Sequence, residues 1–559
     1  MENSALSEAH VPLRRIRRLL KSVLIISLCY HGFLRAGSND VLLIHFSDSH
    51  SNLPGLVQFL KVVSHLAHEH LLGHPEGEVI IVPTGDIAGA DEWSTRDGGE
   101  WVYRALAELG RHYPVVTVLG NHEAFDFVGT RFERGHLPNH FFVEQSQRFQ
   151  SMIGQKLLAA NVHSIGPARD LIDAYQDVRL KSGHLIRFIG LVTPNLIASS
   201  GYDTSSALQL FDGVEGLLPV AQKELIRAAH DRVHTAFLPV HEELLYVRPF
   251  VDELARWKQS RPDLRALSMP LVMAGHDHLV SRERRSDVNV IDSGSDFAFT
   301  AIQYDPDQRV VSRAKHWSLE KQEALVARHP NLPLESGIQA VIAGLEREIA
   351  DVIQENSQVL IPHPIRIEDA KQNLERGPTA LGRHLADALS DWAYTQILDI
   401  PDMVELDGVI AFFNSTSFRR EVPFEGQSLR LIDLRSFIPF DMFTRLRILR
   451  GEDIEIIFSA IRRNRAQKQA YSPQLSNGWS EQSDYKLYFD GQPIRPEGLY
   501  LLASDHFISR NGYAIPEVEA AFERAIWTQS ETWTILDVMR RYLPRRLGCE
   551  SAFLTEGEG

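Results

Sequence analysis

Cysteine is nearly absent: the 559-residue chain has two, Cys29 and Cys549. No C-x-x-C pair exists, so a cysteine-based structural zinc site and a disulfide framework are both excluded. No apolar run approaches the roughly 20 residues of a membrane-spanning helix, so stable membrane insertion is not expected. Positive charge is in deficit, with 58 Lys and Arg against 73 Asp and Glu and a net charge of −15. Such a chain repels polyanions over most of its surface, which argues against a nucleic acid polymer as partner. Internal repeats and low-complexity tracts are missing too. With 44% hydrophobic and 23% charged residues, usage is that of a globular protein, not of a disordered or fibrous one. The length corresponds to about three or four domains' worth of chain, or two large domains. Histidine stands out instead, with 24 residues, where roughly 2% of a globular chain is usual. That excess directs attention to imidazole chemistry.

At the N-terminus, Arg14, Arg15, Arg17, Arg18 and Lys21 precede a short apolar run, Ser22–Tyr30, and then the small residues Ala36, Gly37 and Ser38. Basic, apolar and small segments in this order resemble a secretory leader, although His31 and Arg35 interrupt the pattern. Two alternatives follow for residues 1–40: a leader cleaved on export to the periplasm or exterior, or an extension retained in the cytoplasm.

From residue 41 the pattern alternates. Apolar runs at Val41–Phe46, Val79–Val82, Val115–Leu119, Arg187–Val192, Thr235–Val240, Leu271–Ala274 and Val288–Ile291 read as strands. Helical spacing separates them at Pro54–Leu72, Trp101–Leu109, Leu218–Val233 and Val247–Gln259. Alternation of this kind predicts an α/β domain over residues 41–330. Glu335–Glu355 carries Ile338, Val341, Ile342, Leu345, Ile349 and Ile353 on one stripe, with prolines on both flanks. It reads as a linker helix within residues 331–358. A second domain is expected over 359–546 and a tail over 547–559.

Five segments carry the chemistry. They are Ser47-Asp48-Ser49-His50, Thr84-Gly85-Asp86, Gly120-Asn121-His122-Glu123, His241, and Gly275-His276-Asp277-His278. Each follows a predicted strand, at the sheet edge where ligands of open α/β sheets bind. Asp48, His50, Asp86, Asn121, His241, His276 and His278 offer seven O and N donors, too many for one tetrahedral ion. They suit two divalent cations about 3.5–4 Å apart, with Asp86 as the natural bridge. The glycines before Asp86, Asn121 and His276 are expected to let the backbone turn tightly. A lone D-x-H or G-D is usually a surface turn. G-N-H-E, however, arises by chance in roughly one chain of this length in several hundred, and here every segment falls in order at a strand end. The remaining histidines read as bland, with His65, His68 and His70 at surface positions of a helix.

This set resembles the calcineurin-like metallophosphoesterases, and more narrowly the two-domain bacterial 5′-nucleotidase and UDP-sugar hydrolase family. The resemblance implies a four-layer αββα sandwich followed by a smaller 5′-nucleotidase-type α/β domain. It implies one metal on Asp48, His50, Asp86 and His278 and another on Asp86, Asn121, His241 and His276. The metals would be Mn, Zn, Fe or Co, activating water for in-line attack on phosphorus. His122 would be no ligand but would face the phosphate, oriented by an acid that Asp126 would supply. In the second domain it points to Arg376, Asn414, Arg419, Phe440 and Phe507 as substrate contacts. The family's glycine-rich turns are here replaced by Ser, Thr and Arg, which would remodel the nucleoside pocket. The expected substrate is a small phosphoester, a nucleotide or nucleotide-like compound. The alternatives are a cyclic diester, a sugar phosphate, a sulfur ester, or a metal-binding scaffold without turnover.

Overall fold

The computed structural model describes residues 39–547 apart from 90–92, 94–98, 126–137, 165–169, 194–207, 211–215, 365–378, 398–404, 414–425, 439–442, 467–473, 482–486, 506–514 and 530–532. Asp126, Arg376, Asn414, Arg419, Phe440, Phe507 and the basic and apolar leader lie outside the described residues.

The first part runs β1 (Val41–Phe46), α1 (Leu53–Gly73), β2 (Glu78–Pro83), α2 (Glu100–Gly110), β3 (Tyr175–Arg179), β4 (Leu185–Ile189), α3 (Leu217–His230), β5 (Thr235–His241), α4 (Leu244–Gln259), β6 (Ser268–Gly275), β7 (Val280–Arg285), β8 (Val288–Ser293), β9 (Phe299–Asp305) and β10 (Val310–Trp317). One sheet has the order β10–β9–β1–β2, the other β7–β8–β6–β5–β4–β3, with Leu191–Val192 continuing beside β5. The central pairs β1–β2, β5–β6 and β6–β8 are parallel. Their strands are buried on both faces, which is why they appear in the sequence as unbroken apolar runs.

The two sheets pack face to face through Val41, Leu43, Ile80 and Val82 against Phe188, Phe237, Leu271 and Met273. On the outer face of the first sheet, Leu42, Ile44 and Phe46 meet Leu56, Phe59 and Leu60 of α1 and Val102 and Leu106 of α2. Behind the second, Leu238, Val240 and Val272 meet α3 and α4 through Leu225, Val247 and Leu254. The layers are therefore helix, sheet, sheet, helix, as expected. The start of α1 shows why it begins there. Asn52 Oδ1 accepts the Gly55 N–H at 2.9 Å, and Pro54 occupies the first turn, where its missing N–H costs nothing.

Two expectations are corrected. Val115–Leu119 is no regular strand; Val115 and Val118 make isolated parallel bridges, to Ile81 and to Thr84 and Leu158. His65 and His70 are buried in α1 rather than surface residues, and only His68 is exposed. The antiparallel strands β7, β9 and β10 have no counterpart among the predicted apolar runs.

After α5 (Leu319–Arg328) comes α6 (Ser336–Glu355), a helix where the stripe of Glu335–Glu355 places one. Ile338, Ile342, Leu345 and Val352 sink into the first core, while Ile353 remains exposed. Beyond it lie α7 (Ala380–Thr395), β11 (Gly408–Phe413), β12 (Thr444–Arg450), α8 (Gly451–Ala466), β13 (Gln474–Leu475), β14 (Leu499–Asp505), α9 (Pro516–Glu523), β15 (Trp527–Gln529) and α10 (Ile535–Arg546). A mixed sheet, β13–β11–β14–β12–β15, has α7 and α10 on one face and α8 and α9 on the other. No helix among the described residues is long and apolar enough to cross a membrane.

Candidate dimetal centre

The chemistry-bearing residues meet where the carboxyl ends of β1, β2, β5 and β6 converge. Asp48 and His50 follow β1, Asp86 follows β2, His241 closes β5, and His276 and His278 follow β6. Asn121 and His122 open a short helix, Asn121–Phe125. Three groups have donor atoms close enough to share a cation: Asp48, His50 and His278; His50, Asp86 and His122; and Asp86, His241 and His276. Six of the seven expected ligands thus fall into these groups. The seventh, Asn121, presents its Oδ1 3.1 Å from His241 Nε2. Asp86 and His50 each belong to two of the groups, and of the two only the carboxylate of Asp86 has two oxygens with which to bridge cations. His122, expected to be no ligand, is within reach of a cation shared with His50 and Asp86.

The donor set fits cations on internal grounds. His241 Nδ1 lies 2.9 Å from the Thr84 carbonyl, which can only accept, so this nitrogen carries the proton. Its Nε2 then faces Asp86 Oδ2 and Asn121 Oδ1, each at 3.1 Å. Three acceptors converging on one point require a positive charge between them. His50 Nε2 and His278 Nε2 likewise stand 3.1 Å apart. Asp48 Oδ1 and His276 Nδ1 are buried without a hydrogen-bond partner. These are acceptors that a divalent ion satisfies and that a dry protein interior otherwise penalises.

The electrostatics agree. Burial pushes Asp48 up to about 7, against the pull of His241. Burial alone would raise Asp86 too, but His241 and His122 hold it well below the usual carboxylate range. Burial would lower His241, yet the Asp86 and Asp48 carboxylates lift it to about 10. A proton on His241 therefore supplies the charge that a cation would supply. Burial and the charge on His241 press His276 down to about 3, which keeps a neutral imidazole ready to ligate.

The backbone is shaped for this cluster. Asp48, His50, Asp86, His276 and His278 all have positive φ, between 44° and 105°. That conformation disfavours residues with a Cβ and is held only where the surroundings impose it, as at functional sites. Of the three preceding glycines, Gly85 itself has φ of 78° and serves the turn. Gly120 serves close approach instead, since a Cβ there would strike Asp86 and Glu123.

Glu123 is a positioning residue to which the motifs assign no role. Its carboxylate accepts four backbone N–H groups, from Asp86 at 2.8 Å, Ile87 at 2.6 Å, Ala88 at 3.1 Å and Gly120 at 2.7 Å. Burial and the Asp86 charge push it up to about 7 while these donors pull it down. It fastens the loop after β2 to the G-N-H-E loop. Asp48 is held similarly, its Oδ2 accepting the His276 N–H at 2.9 Å. The only signal for Glu123 in the sequence is its place at the end of G-N-H-E.

Residues 41–279 match the family model for calcineurin-like phosphoesterases. This part of the chain is a calcineurin-like phosphoesterase domain. The phosphoesterase domain makes the protein a hydrolase by class and a user of divalent metal ions, in line with the ligand groups just described. No curated protein sequence matches the chain. Solved structures do, across both parts of it. A 5′-nucleotidase precursor from Thermus thermophilus is 14% identical with a TM-score of 0.63, over 90% of this chain and 96% of that one. The sulfate thiohydrolase SoxB from the same species is 14% identical with a TM-score of 0.60, over 91% and 94%. A 5′-nucleotidase from Candida albicans is 11% identical with a TM-score of 0.60, over 91% and 98%. At such identities the likeness is one of fold: the phosphoesterase domain is followed by a second domain of the kind these enzymes carry.

Proposed function

We propose that the protein is a metal-dependent phosphohydrolase that releases phosphate from nucleotides or nucleotide-like phosphoesters. The observation that supports it most is the convergence of Asp48, His50, Asp86, Asn121, His241, His276 and His278 at one sheet edge, with His122 beside them. Two divalent cations held there would supply Lewis-acid stabilisation of the phosphoryl oxygens. The chain's own contribution is to fix the site and handle protons. Asp86 Oδ1 accepts the His122 N–H at 2.9 Å, and His122 Nε2 lies 3.7 Å from Asp86 Oδ2. The His122 ring stands edge-on to His50 at 4.6 Å. Its side chain is 14% exposed against 2% for Asp86, so this imidazole has an outlet to solvent beside the bridge. From there it can donate to a phosphoryl oxygen or the departing alkoxide while Asp86 balances its charge.

The 5′-nucleotidase neighbours support a nucleotide as substrate. The sulfate thiohydrolase neighbour supports a second reading, in which the bond broken is a sulfur ester. The deciding experiment is product release by metal-stripped protein resupplied with Mn²⁺ or Zn²⁺. Its panel holds AMP, UDP-glucose, 2′,3′-cyclic AMP, a bis-aryl phosphate and an S-linked sulfate ester. Nucleotide turnover is expected, abolished by chelator and reduced about 10²–10⁴-fold in His122→Ala. Bound metal should persist in that variant. Loss of metal would make His122 a ligand rather than a proton donor, and turnover of the sulfur ester alone would overturn the nucleotidase reading.

A further inference from the structure

The metal centre is divided between the two sheets. Asp48, His50 and Asp86 follow strands of the first, β1 and β2, whereas His241, His276 and His278 belong to β5 and β6 of the second or follow them. Two of the ligand groups therefore span both sheets: Asp48 and His50 meet His278, and Asp86 meets His241 and His276. Donor atoms that close on one ion tolerate little sliding of one sheet on the other.

At this end of the sandwich the sheets are tied by a polar contact. Elsewhere they meet through apolar side chains, Val41 and Leu43 of β1 among them. The same face of β1 next carries His45, fully buried and three residues before Asp48. Its Nδ1 lies 2.7 Å from the hydroxyl of Ser293, the last residue of β8 in the other sheet. Ser293 Oγ in turn donates to Thr300 Oγ1 at 3.0 Å, back on β9 of the first sheet, where Thr300 is the register partner of His45. A hydroxyl has one proton to give, so Nδ1 carries the ring proton and donates to Ser293. Burial presses His45 down to about 3, which keeps the ring neutral. Its Nε2 is buried without a hydrogen-bond partner. A leucine would fill the place without that penalty, so packing alone does not account for a histidine.

Ser293 also opens the crossover from β8 to β9, which is bonded to the Asp48 loop. The Ser47 hydroxyl donates to the Gly294 carbonyl at 3.2 Å, and the Asp296 N–H donates to the Asp48 carbonyl at 3.1 Å. Gly294, Asp296 and Phe297 have φ of 78°, 58° and 62°, a path that holds only where the surroundings impose it. β8 is the parallel neighbour of β6, the strand that leads into His276 and His278. The bond from His45 to Ser293 thus joins the strand leading to Asp48 and His50 to the neighbour of the strand leading to His278. That is the span one cation has to close.

We propose that His45 is a positioning residue of the metal centre: through Ser293 and Thr300 it sets the spacing of the two sheets at the cation held by Asp48, His50 and His278. The inference deepens the phosphohydrolase reading and rests on its metal centre, not on the choice of substrate.

The test titrates the metal-stripped full chain with Mn²⁺ by calorimetry and reads the dissociation constant of each cation. His45→Leu fills the space without a donor, and Ser293→Ala removes the hydroxyl, which keeps the test decisive if His45→Leu does not fold. In both, one cation should weaken about 10–100-fold, as when an outer partner of a ligand is lost, and the other should keep its wild-type constant. His45→Asn, which can place an amide N–H where Nδ1 stood, should restore the wild-type constants. In a His278→Ala background, already short of a ligand for that cation, His45→Leu should weaken the remaining cation no further. Unchanged constants in the variants, equal weakening of both cations, or no recovery in His45→Asn overturns the inference and leaves His45 a packing residue. A wild type that binds a single cation overturns the inference and the dimetal centre together. A wild type that holds both cations and turns over no ester overturns the phosphohydrolase reading and leaves the positioning role to stand on the binding constants.

Discussion

At the residue scale, the ligands could be read from the chain because their types and order are specific, but what holds them could not. Asp and His are named by five short motifs. The positive φ at Asp48, His50, Asp86, His276 and His278 has no such signature. Nor does the burial of Glu123, which looks like a helix-surface acid until the loop after β2 folds over it. Glu123→Gln tests that role. The amide keeps one acceptor oxygen and turns an NH₂ towards backbone N–H groups that have no other partner. Stability should fall by about 1–3 kcal/mol, the cost of leaving buried donors unsatisfied. Divalent metal affinity should fall about 10–100-fold, as when an outer partner of a ligand is lost. Urea unfolding and metal titration measure the two effects, and unchanged metal affinity would reduce Glu123 to a purely structural anchor. The substrate contacts assigned by resemblance, Arg376, Asn414, Arg419, Phe440 and Phe507, lie outside the described residues.

At the element scale, legibility follows burial. β1, β5 and β6 are covered on both faces and announce themselves as VLLIHF, TAFLPVH and SMPLVMAG. β7 is an edge strand, VSRERR, whose charges guard an open sheet edge and erase any apolar run. Helix α1 was legible as a helix, but not its buried histidines, because their burial depends on what packs at its C-terminal end. There His70 Nε2 donates to the Asp40 carbonyl at 3.1 Å and its ring stacks on His74 at 4.8 Å. Burial, with some help from His74, presses His70 down to about 4. In the unfolded chain a histidine titrates near 6.5, so between these values only the unfolded state binds the proton. This contribution to stability is complete above pH 6.5 and is lost as pH falls towards 4. Asp40, pushed up to about 6 by burial, acts in the opposite direction. A His70→Gln variant, which retains a donor for Asp40, isolates the histidine. Between pH 7.5 and pH 5 the wild type should lose about 1–2 kcal/mol more than the variant. Equal losses in denaturant titrations at the two pH values would show that His70 accepts its proton without strain.

For the molecule as a whole, α6 decides how the two parts can move. Its sequence places it between domains, yet it is built into the first. A Cβ on Gly344 would collide with the Trp101 ring and one on Gly337 with the Glu108 carboxylate, so both glycines seat the helix against α2. Lys61 of α1 reaches Glu346 at 3.2 Å. Among the described residues, the hydrogen bonds from this helix to the second part come at and just beyond its end. There the Ile432 N–H donates to the Asn356 carbonyl at 3.1 Å, the Leu431 N–H to that of Gln358 at 2.9 Å, and Arg540 to Gln358 Oε1 at 2.7 Å. If the second domain rotates to carry substrate to the metals, the pivot must lie at this short junction, because sliding α6 would expose Ile338, Ile342 and Leu345. The two native cysteines, Cys29 and Cys549, can be replaced by serine, and new ones placed at the exposed positions Leu72, Ile353 and Tyr394. Single-molecule distances should stay constant for the 72–353 pair on adding a non-hydrolysable nucleotide and shift for the 72–394 pair. Movement of the first pair would make α6 itself the hinge. Constancy of both would mean that substrate reaches the metal centre across a fixed cleft, without rotation of the second domain.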